Sequence, residues 1–343
     1  MNITMSSVPL ISIIIPAYNA ERFIGDTLKS IQEQTISNWE AIVIDDQSTD
    51  GTADVVRSFQ AVDPRIRYHL SPKRGGRASV NRNIGILLSK GEYITFMDAD
   101  DIYYSDGLET LIAPLQQNLH LNASMAFPYY CDSELLPLHV SRHLVQQADG
   151  RFVFDKDYTI NWENICTFKV VFSVCGTLFR RSEIDRLGPM DESLLSGEDY
   201  KYLVNLFRWD WERVAVLPKV TFKYRQYSGS VTKTPQLLLE AMFAHIEGTN
   251  WLFALPELPQ RYRYLRHFHV YKRLSTVSAS LTKLNRGDLA FQVILESLRY
   301  PGFHPLVWLQ HFSKEVIRAV LPKTLQEISS FLLHTQKADY YKV

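Results

Sequence analysis

The first 120 residues alternate between two hydrophobic patterns. Leu10 to Ile15 is an apolar run broken only by Ser12, as in a strand buried on both faces. Residues 20 to 34 then space Phe23, Ile24, Thr27, Leu28 and Ile31 at helical intervals. The alternation continues as a strand over Ala41 to Ile44, a helix over 52–60, a strand over Ile66 to Leu70 and a helix over 77–89. A strand over Tyr93 to Met97 and a helix over 106–118 complete it. This βαβαβαβα order predicts an α/β fold: a Rossmann-like, mostly parallel sheet with helices on both faces and right-handed crossovers. Such sheets bind ligands beyond the carboxyl ends of their strands, so the chemistry is expected just after each apolar run.

From 121 to 230 the pattern is less regular. Val170 to Phe179 is apolar without clean alternation, and Asp191 to Arg208 reads as a loop entering a helix. After Tyr227-Ser228-Gly229-Ser230 the remaining residues are helical in pattern and carry no catalytic-looking cluster. The expected organisation is a catalytic domain over 1–230, with halves of about 9–120 and 121–230, followed by a C-terminal helical region over 231–343.

The 343 residues hold 37 Lys+Arg and 37 Asp+Glu, a balance that argues against a nucleic-acid or other bulk polyanion partner. The zero is unevenly built: residues 1–120 sum to −5, 121–230 to −1 and 231–343 to +6. Cys131, Cys166 and Cys175 form neither a disulfide framework nor a CxxC zinc pattern. The N-terminal apolar run lacks a basic flank and is broken by Pro9 and Pro16, so it reads as a strand rather than a signal peptide. No apolar stretch reaches the roughly 18 residues of a membrane span. A cytoplasmic protein is expected, with peripheral contact at the inner membrane face as the one membrane role left open.

Three clusters follow the predicted strands: Pro16-Ala17-Tyr18-Asn19, Asp45-Asp46-Gln47-Ser48-Thr49-Asp50-Gly51, and Asp98-Ala99-Asp100-Asp101. In an extended chain Asp98 and Asp100 point the same way, which makes a hard-oxygen site suited to Mg²⁺ or Mn²⁺. An Asp-rich turn without metal uses the same residues. Ser48 to Gly51 can cap the next helix, which leaves Asp45 or Asp46 to accept hydrogen bonds from a nucleobase or ribose. Tyr18 suits stacking on a base. Lys73 to Arg77 and Asn81-Arg82-Asn83 bring basic groups near a helix start, a phosphate-facing chemistry. In Gly197-Glu198-Asp199-Tyr200 the acids complement a helix dipole, or one of them serves as a general base toward an alcohol.

Pro-Ala-Tyr-Asn, Ile44-Asp45-Asp46-Gln47-Ser48-Thr49-Asp50-Gly51-Thr52, Lys90-Gly91-Glu92-Tyr93-Ile94 running into Met97-Asp98-Ala99-Asp100-Asp101, and Gly197-Glu198-Asp199-Tyr200 occur in one order at natural distances. Over roughly residues 9 to 230 this set closely resembles the family 2 glycosyltransferases. The resemblance implies a GT-A fold and an inverting, metal-assisted transfer of a sugar from a nucleotide diphosphate, a UDP-sugar foremost, to a hydroxyl. The acceptor implied is a glycan or lipid-linked glycan in polysaccharide or glycolipid synthesis. It also implies that Pro16, Tyr18 and Asp46 hold the base, that Arg82 serves the nucleotide or diphosphate, and that Asp98 contacts ribose or metal. Asp100 would bind the metal, with Mn²⁺ or Mg²⁺ as cofactor. Asp199 would be the base and Glu198 a sugar contact, while Arg225 and Ser230 would close over the diphosphate. Two departures stand out: Asn81 replaces the family's usual Ala before Arg82-Asn83, and Gln226 replaces the His that often follows Tyr-Arg.

Two alternatives are a nucleotidyltransferase, which would carry a Gly-rich basic loop where Pro16-Ala17-Tyr18-Asn19 stands, and a non-catalytic sugar-binding module, which would have lost the metal Asp or the base. Residues 260–286 interleave Arg261, Arg263, Arg266, Lys272 and Arg273 with Tyr262, Tyr264, Phe268 and Tyr271. This stretch reads either as a helix packing its aromatics on protein or as one lying on anionic lipid.

Overall fold

The computed structural model describes residues 8–299, apart from 76, 157, 168, 171–172, 195–196, 209, 228–234 and 284–285. The chain divides into two compact units, 1–228 and 229–343. The first begins with the alternation the periodicity predicts: β1 (Ile11–Ala17), α1 (Ile24–Gln32), β2 (Trp39–Asp45), α2 (Thr52–Val62), β3 (Ile66–Leu70), α3 (Ala78–Leu88) and β4 (Tyr93–Phe96). A two-residue β5 (Ile102–Tyr103) and α4 (Gly107–Gln117) follow. The second half contributes β6 (Ala123–Cys131), β7 (Pro137–Val140), β8 (Leu144–Gln146), β9 (Phe152–Phe154), α5 (Trp162–Cys166), β10 (Thr177–Arg180), α6 (Arg181–Leu187), α7 (Glu198–Phe207) and β11 (Val214–Arg225).

The main sheet runs β3-β2-β1-β4-β10-β6-β11-β5, with β7 on β6, and β8 pairs with β9 separately. The first four strands are parallel, whereas β10 lies antiparallel between β4 and β6 and β11 is again parallel to β6. The sheet is therefore parallel where the alternation predicted it and mixed beyond. Two reversals return β6 and β11 to the direction of β4, so the carboxyl ends of β1, β2, β4, β6 and β11 share one edge.

β1 sits between two parallel neighbours, and Ile11, Ile13, Ile14 and Ile15 are fully buried. Its one interior hydroxyl, Ser12, donates to Glu40 Oε1 at 2.7 Å and accepts from Gly91 N at 2.8 Å. Glu40 also receives Lys90 N at 2.7 Å and Arg67 Nη1 at 2.6 Å, so this buried network is well satisfied. Gly91 is needed for close approach: a Cβ there would sit 2.6 Å from Ser12 N. α1 turns Ile24, Thr27, Leu28 and Ile31 inward, a stripe of helical period.

The second unit contains α8 (Pro235–Ala254), α9 (Leu265–Lys283) and α10 (Gly287–Arg299), with Val270, Tyr271, Leu274, Leu281, Val293 and Ile294 in a shared core. Part of the basic stretch is spent on holding this unit together. Arg263 donates to the carbonyls of Phe253 and Leu255 at 3.3 and 3.0 Å, capping the end of α8, and Arg266 Nε donates to Asn250 Oδ1 at 2.9 Å. Tyr271 is buried, whereas Tyr264 is exposed. Among the described residues no helix is long and apolar enough to cross a membrane.

Candidate active site

The three sequence clusters meet at the shared strand edge. Asp46 N donates to Ala17 O at 2.8 Å, Asn19 N to Ser48 Oγ at 2.9 Å, and Thr49 N to Asn19 Oδ1 at 2.9 Å, which ties the loop after β1 to the loop after β2. Asn19 and Gln47 hold positive φ, 48° and 60°, at these tight turns. Pro16, paired with Ile44, is the last residue but one of β1. The two acids after β2 separate by partner. Asp45 accepts from Tyr68 Oη at 2.7 Å and Ser48 N at 2.9 Å, and is structural. Asp46 accepts from Gly75 N at 2.9 Å, which ties the chain after β3 to the loop after β2. Tyr18 is half-exposed; Arg74 lies 5.1 Å from its ring centroid and donates to its hydroxyl.

β4 ends at Phe96, so Asp98 to Asp101 form a turn rather than the extended chain in which Asp98 and Asp100 would point together. Asp101 N closes it onto Asp98 O at 3.1 Å, and Thr27 of α1 donates to Ala99 O at 2.9 Å. Arg225 clamps it: Nε donates to Asp100 O at 2.8 Å and its backbone N to Asp101 Oδ1 at 3.0 Å. The other guanidinium nitrogens reach Ser133 O at 2.6 Å and Asp26 Oδ2 at 3.1 Å, with Phe23 stacked 4.4 Å beneath. Arg225 thus fixes the turn from behind. Ser230 lies outside the described residues.

Burial, reinforced by repulsion from Asp98, pushes Asp100 up to about 6, against a hydrogen bond from Tyr227. Asp101 is almost wholly buried and driven well above the carboxylate range by burial first and its two acidic neighbours second. Among the described residues its Oδ2 has no hydrogen-bond partner. Ligand atoms of Asp98, Asp101 and Cys175 lie within 4.8 Å of one another. Burial and the acids raise the Cys175 thiol, which makes it a poor ligand beside two hard oxygens. Crowded carboxylates, one with an orphaned oxygen, fit a hard divalent cation.

Arg82 joins this turn to the far acid pair. From α3, itself almost wholly buried, it donates to Asp98 Oδ1 at 2.8 Å and to Glu198 Oε1 at 2.9 Å. Glu198 and Asp199 open α7 behind Gly197, whose φ of 83° demands glycine. Burial raises Glu198 to about 7, with Asp199 adding to the rise and Arg82 opposing it. Asp199 is partly exposed, and its Oδ1 accepts from Tyr200 N at 2.7 Å. The structure therefore gathers Pro16, Tyr18, Asp46, Arg82, Asp98, Asp100, Glu198 and Asp199 along one edge. Sequence reasoning did not single out Arg74, Tyr227 or Cys175; only the basic cluster 73–77 gave a signal for the first.

Residues 12–188 match the model of the "Glycosyl transferase family 2" family, more than half of the chain. The chain belongs to glycosyltransferase family 2. It is similar to an uncharacterised glycosyltransferase of Haemophilus influenzae, 39% identical over 242 residues covering 66% of this chain and 69% of that protein. Against EpsJ, an uncharacterised glycosyltransferase of Bacillus subtilis, identity is 30% over 229 residues. The Escherichia coli UDP-Glc:α-D-GlcNAc-diphosphoundecaprenol β-1,3-glucosyltransferase WfgD is 38% identical over 109 residues, 32% of this chain. The chain spans less than two thirds of several relatives, 64% of EpsJ and 42% of WfgD. Among solved structures, Staphylococcus aureus TarS 1-349 in complex with UDP-GlcNAc superposes with a TM-score of 0.55 at 18% identity, covering 90% of this chain and 81% of that one. The mannosyltransferase PcManGT of Pyrobaculum calidifontis, in complex with GDP-Man and Mn²⁺, gives 0.53 at 17%, covering 98% and 88%. The fold is GT-A.

Proposed function

We propose that this family 2 member transfers a sugar, with inversion, from a nucleotide diphosphate to a hydroxyl of a glycan or lipid-linked glycan, in polysaccharide or glycolipid synthesis in the cytoplasm. The observation that carries this reading is Arg82, which spans the acidic turn after β4 and the acid pair that opens α7. Relatives named for diphosphoundecaprenol-linked acceptors, and neighbours of the same fold solved with UDP-GlcNAc and GDP-Man, support the substrate classes. A UDP-sugar is the donor favoured here, with its base between Tyr18 and Asp46 beside Pro16.

Asp199 is the base of the reaction. It takes the proton from the acceptor hydroxyl as that oxygen bonds to the anomeric carbon and the bond to the diphosphate oxygen breaks on the opposite face. Glu198, buried against Arg82, orients α7 and the sugar. Asp98, Asp100 and Asp101 would hold Mn²⁺ or Mg²⁺, which supplies neutralisation of the charge that develops on the leaving diphosphate. Arg82 holds Asp98 in place, and Arg225 keeps the turn in register. The first unit carries this machinery, and α8, α9 and α10 belong to the second.

The test is product analysis with a panel of nucleotide sugars and lipid-linked acceptors. Asp199→Asn is expected to bind donor normally while losing at least a hundredfold in transfer. Full transfer by this variant would sink the base assignment.

A further inference from the structure

Away from the catalytic edge, the first unit has a cleft of about 260 Å³. Its walls include Phe154, Tyr158, Thr159, Trp211 and Glu212. The volume lies just under the roughly 300–1,000 Å³ of sites for drug-sized ligands, the scale of a single ring. Its rings are preset. Phe154 and Tyr158 stack 4.8 Å apart at 13°, and Trp162 meets Trp211 edge-on at 6.1 Å and 69°. Aromatic faces of this kind attract the C–H face of a pyranose through their quadrupole.

The polar groups point to the same class of ligand. Tyr158 Oη is buried with no hydrogen-bond partner among the described residues. Glu212 is exposed, and among the described residues no ion pair or hydrogen bond holds its carboxylate. Its neighbour Arg213 faces elsewhere, donating to His120 O at 3.0 Å. A free carboxylate accepts hydrogen bonds from hydroxyls and repels anions, so the cleft suits a neutral sugar over a phosphate or uronate.

The position suits an extended acceptor. α7 starts with Glu198 and Asp199 at the catalytic edge, runs about 15 Å at 1.5 Å per residue, and delivers the chain to Trp211. α5, which begins three residues after Thr159, is tied to α7 by Tyr200 Oη donating to Ile165 O at 3.1 Å.

We propose that this cleft is a non-catalytic binding site for a neutral saccharide, holding the acceptor or product glycan a helix length from the point of transfer. It rests on the glycosyltransferase reading only for the origin of the saccharide. The test uses the full chain with cellotetraose, maltotetraose and chitotetraose, followed by saturation-transfer NMR and tryptophan fluorescence. At least one is expected to bind, with Trp211→Ala and Glu212→Gln each weakening it tenfold or more and Asp199→Asn leaving it unchanged. Failure of all three sugars to bind overturns the proposal. So does binding that survives both cleft substitutions, or displacement of the sugar by an apolar peptide alone, in variants that still melt cooperatively. Donor-induced stabilisation is measured in parallel: its absence counts against the glycosyltransferase reading and leaves the cleft result standing.

Discussion

Arg82 Nη1 donates to Glu198 Oε1 at 2.9 Å across 116 residues of sequence, while Nη2 holds Asp98 at 2.8 Å. One buried guanidinium thus joins the donor-side turn to the helix that carries the base. A buried charge stripped of its partner is costly, whereas removal of both partners is cheap. Arg82→Met is expected to lower unfolding free energy by about 3 kcal/mol, because Glu198 is left buried and unpaired. Urea titration of Arg82→Met, Glu198→Gln and the double variant checks this: the double variant should be more stable than the sum of the single losses predicts.

The acidic turn separates carboxylate from thiol ligation. Mn²⁺ titration by calorimetry should show Asp98→Asn, Asp100→Asn and Asp101→Asn each weakening binding tenfold or more. Cys175→Ser should leave affinity within about threefold, because burial keeps the thiol protonated.

Gly91→Ala is expected to destabilise by about 2 kcal/mol or more, since the new Cβ would lie 2.6 Å from Ser12 N, backbone that cannot swing away. Thermal melting measures this, and an unshifted midpoint would contradict the close packing of that corner.

These cases show what was legible in the sequence. The alternation over 1–120 encodes local elements, and Ile66–Leu70 appears with the expected bounds because a strand flanked by helices is read from periodicity alone. The placement of β10 between β4 and β6 depends on pairing across more than 80 residues, which leaves no local mark. The site divides likewise. Residue types named the acids, but Asp45 and Asp46 are told apart by Tyr68 and Gly75, partners that the fold brings in. The resemblance implies that Arg225 closes over the diphosphate; its bonds to Asp100 O, Ser133 O and Asp26, which clamp the turn, come only with the fold.

Stability should weaken in mild acid through His143. Burial is the main cause that lowers its pKa from 6.5 to about 4, with Arg142 acting in the same sense and Asp155 opposing. The unfolded chain therefore binds the proton first. This stability is fully present above pH 6.5 and is lost as pH falls toward 4, by at most about 3 kcal/mol. Urea midpoints measured across this window should show a shallower slope in His143→Phe than in the parent protein.

The central claim is that the edge joining Tyr18, Asp46, Arg82 and the 98–101 turn binds a nucleotide-diphosphate sugar with a divalent metal. Thermal melting with UDP- and GDP-sugars, in Mn²⁺ or in EDTA, tests it most directly. At a hundredfold excess over Kd, a ligand bound only by the native state adds about 2.7 kcal/mol, or roughly 5–10 °C for a unit of this size. At least one nucleotide sugar should raise the midpoint by this much in Mn²⁺ and far less in EDTA. No shift with any of them, or an equal shift without metal, would contradict the account.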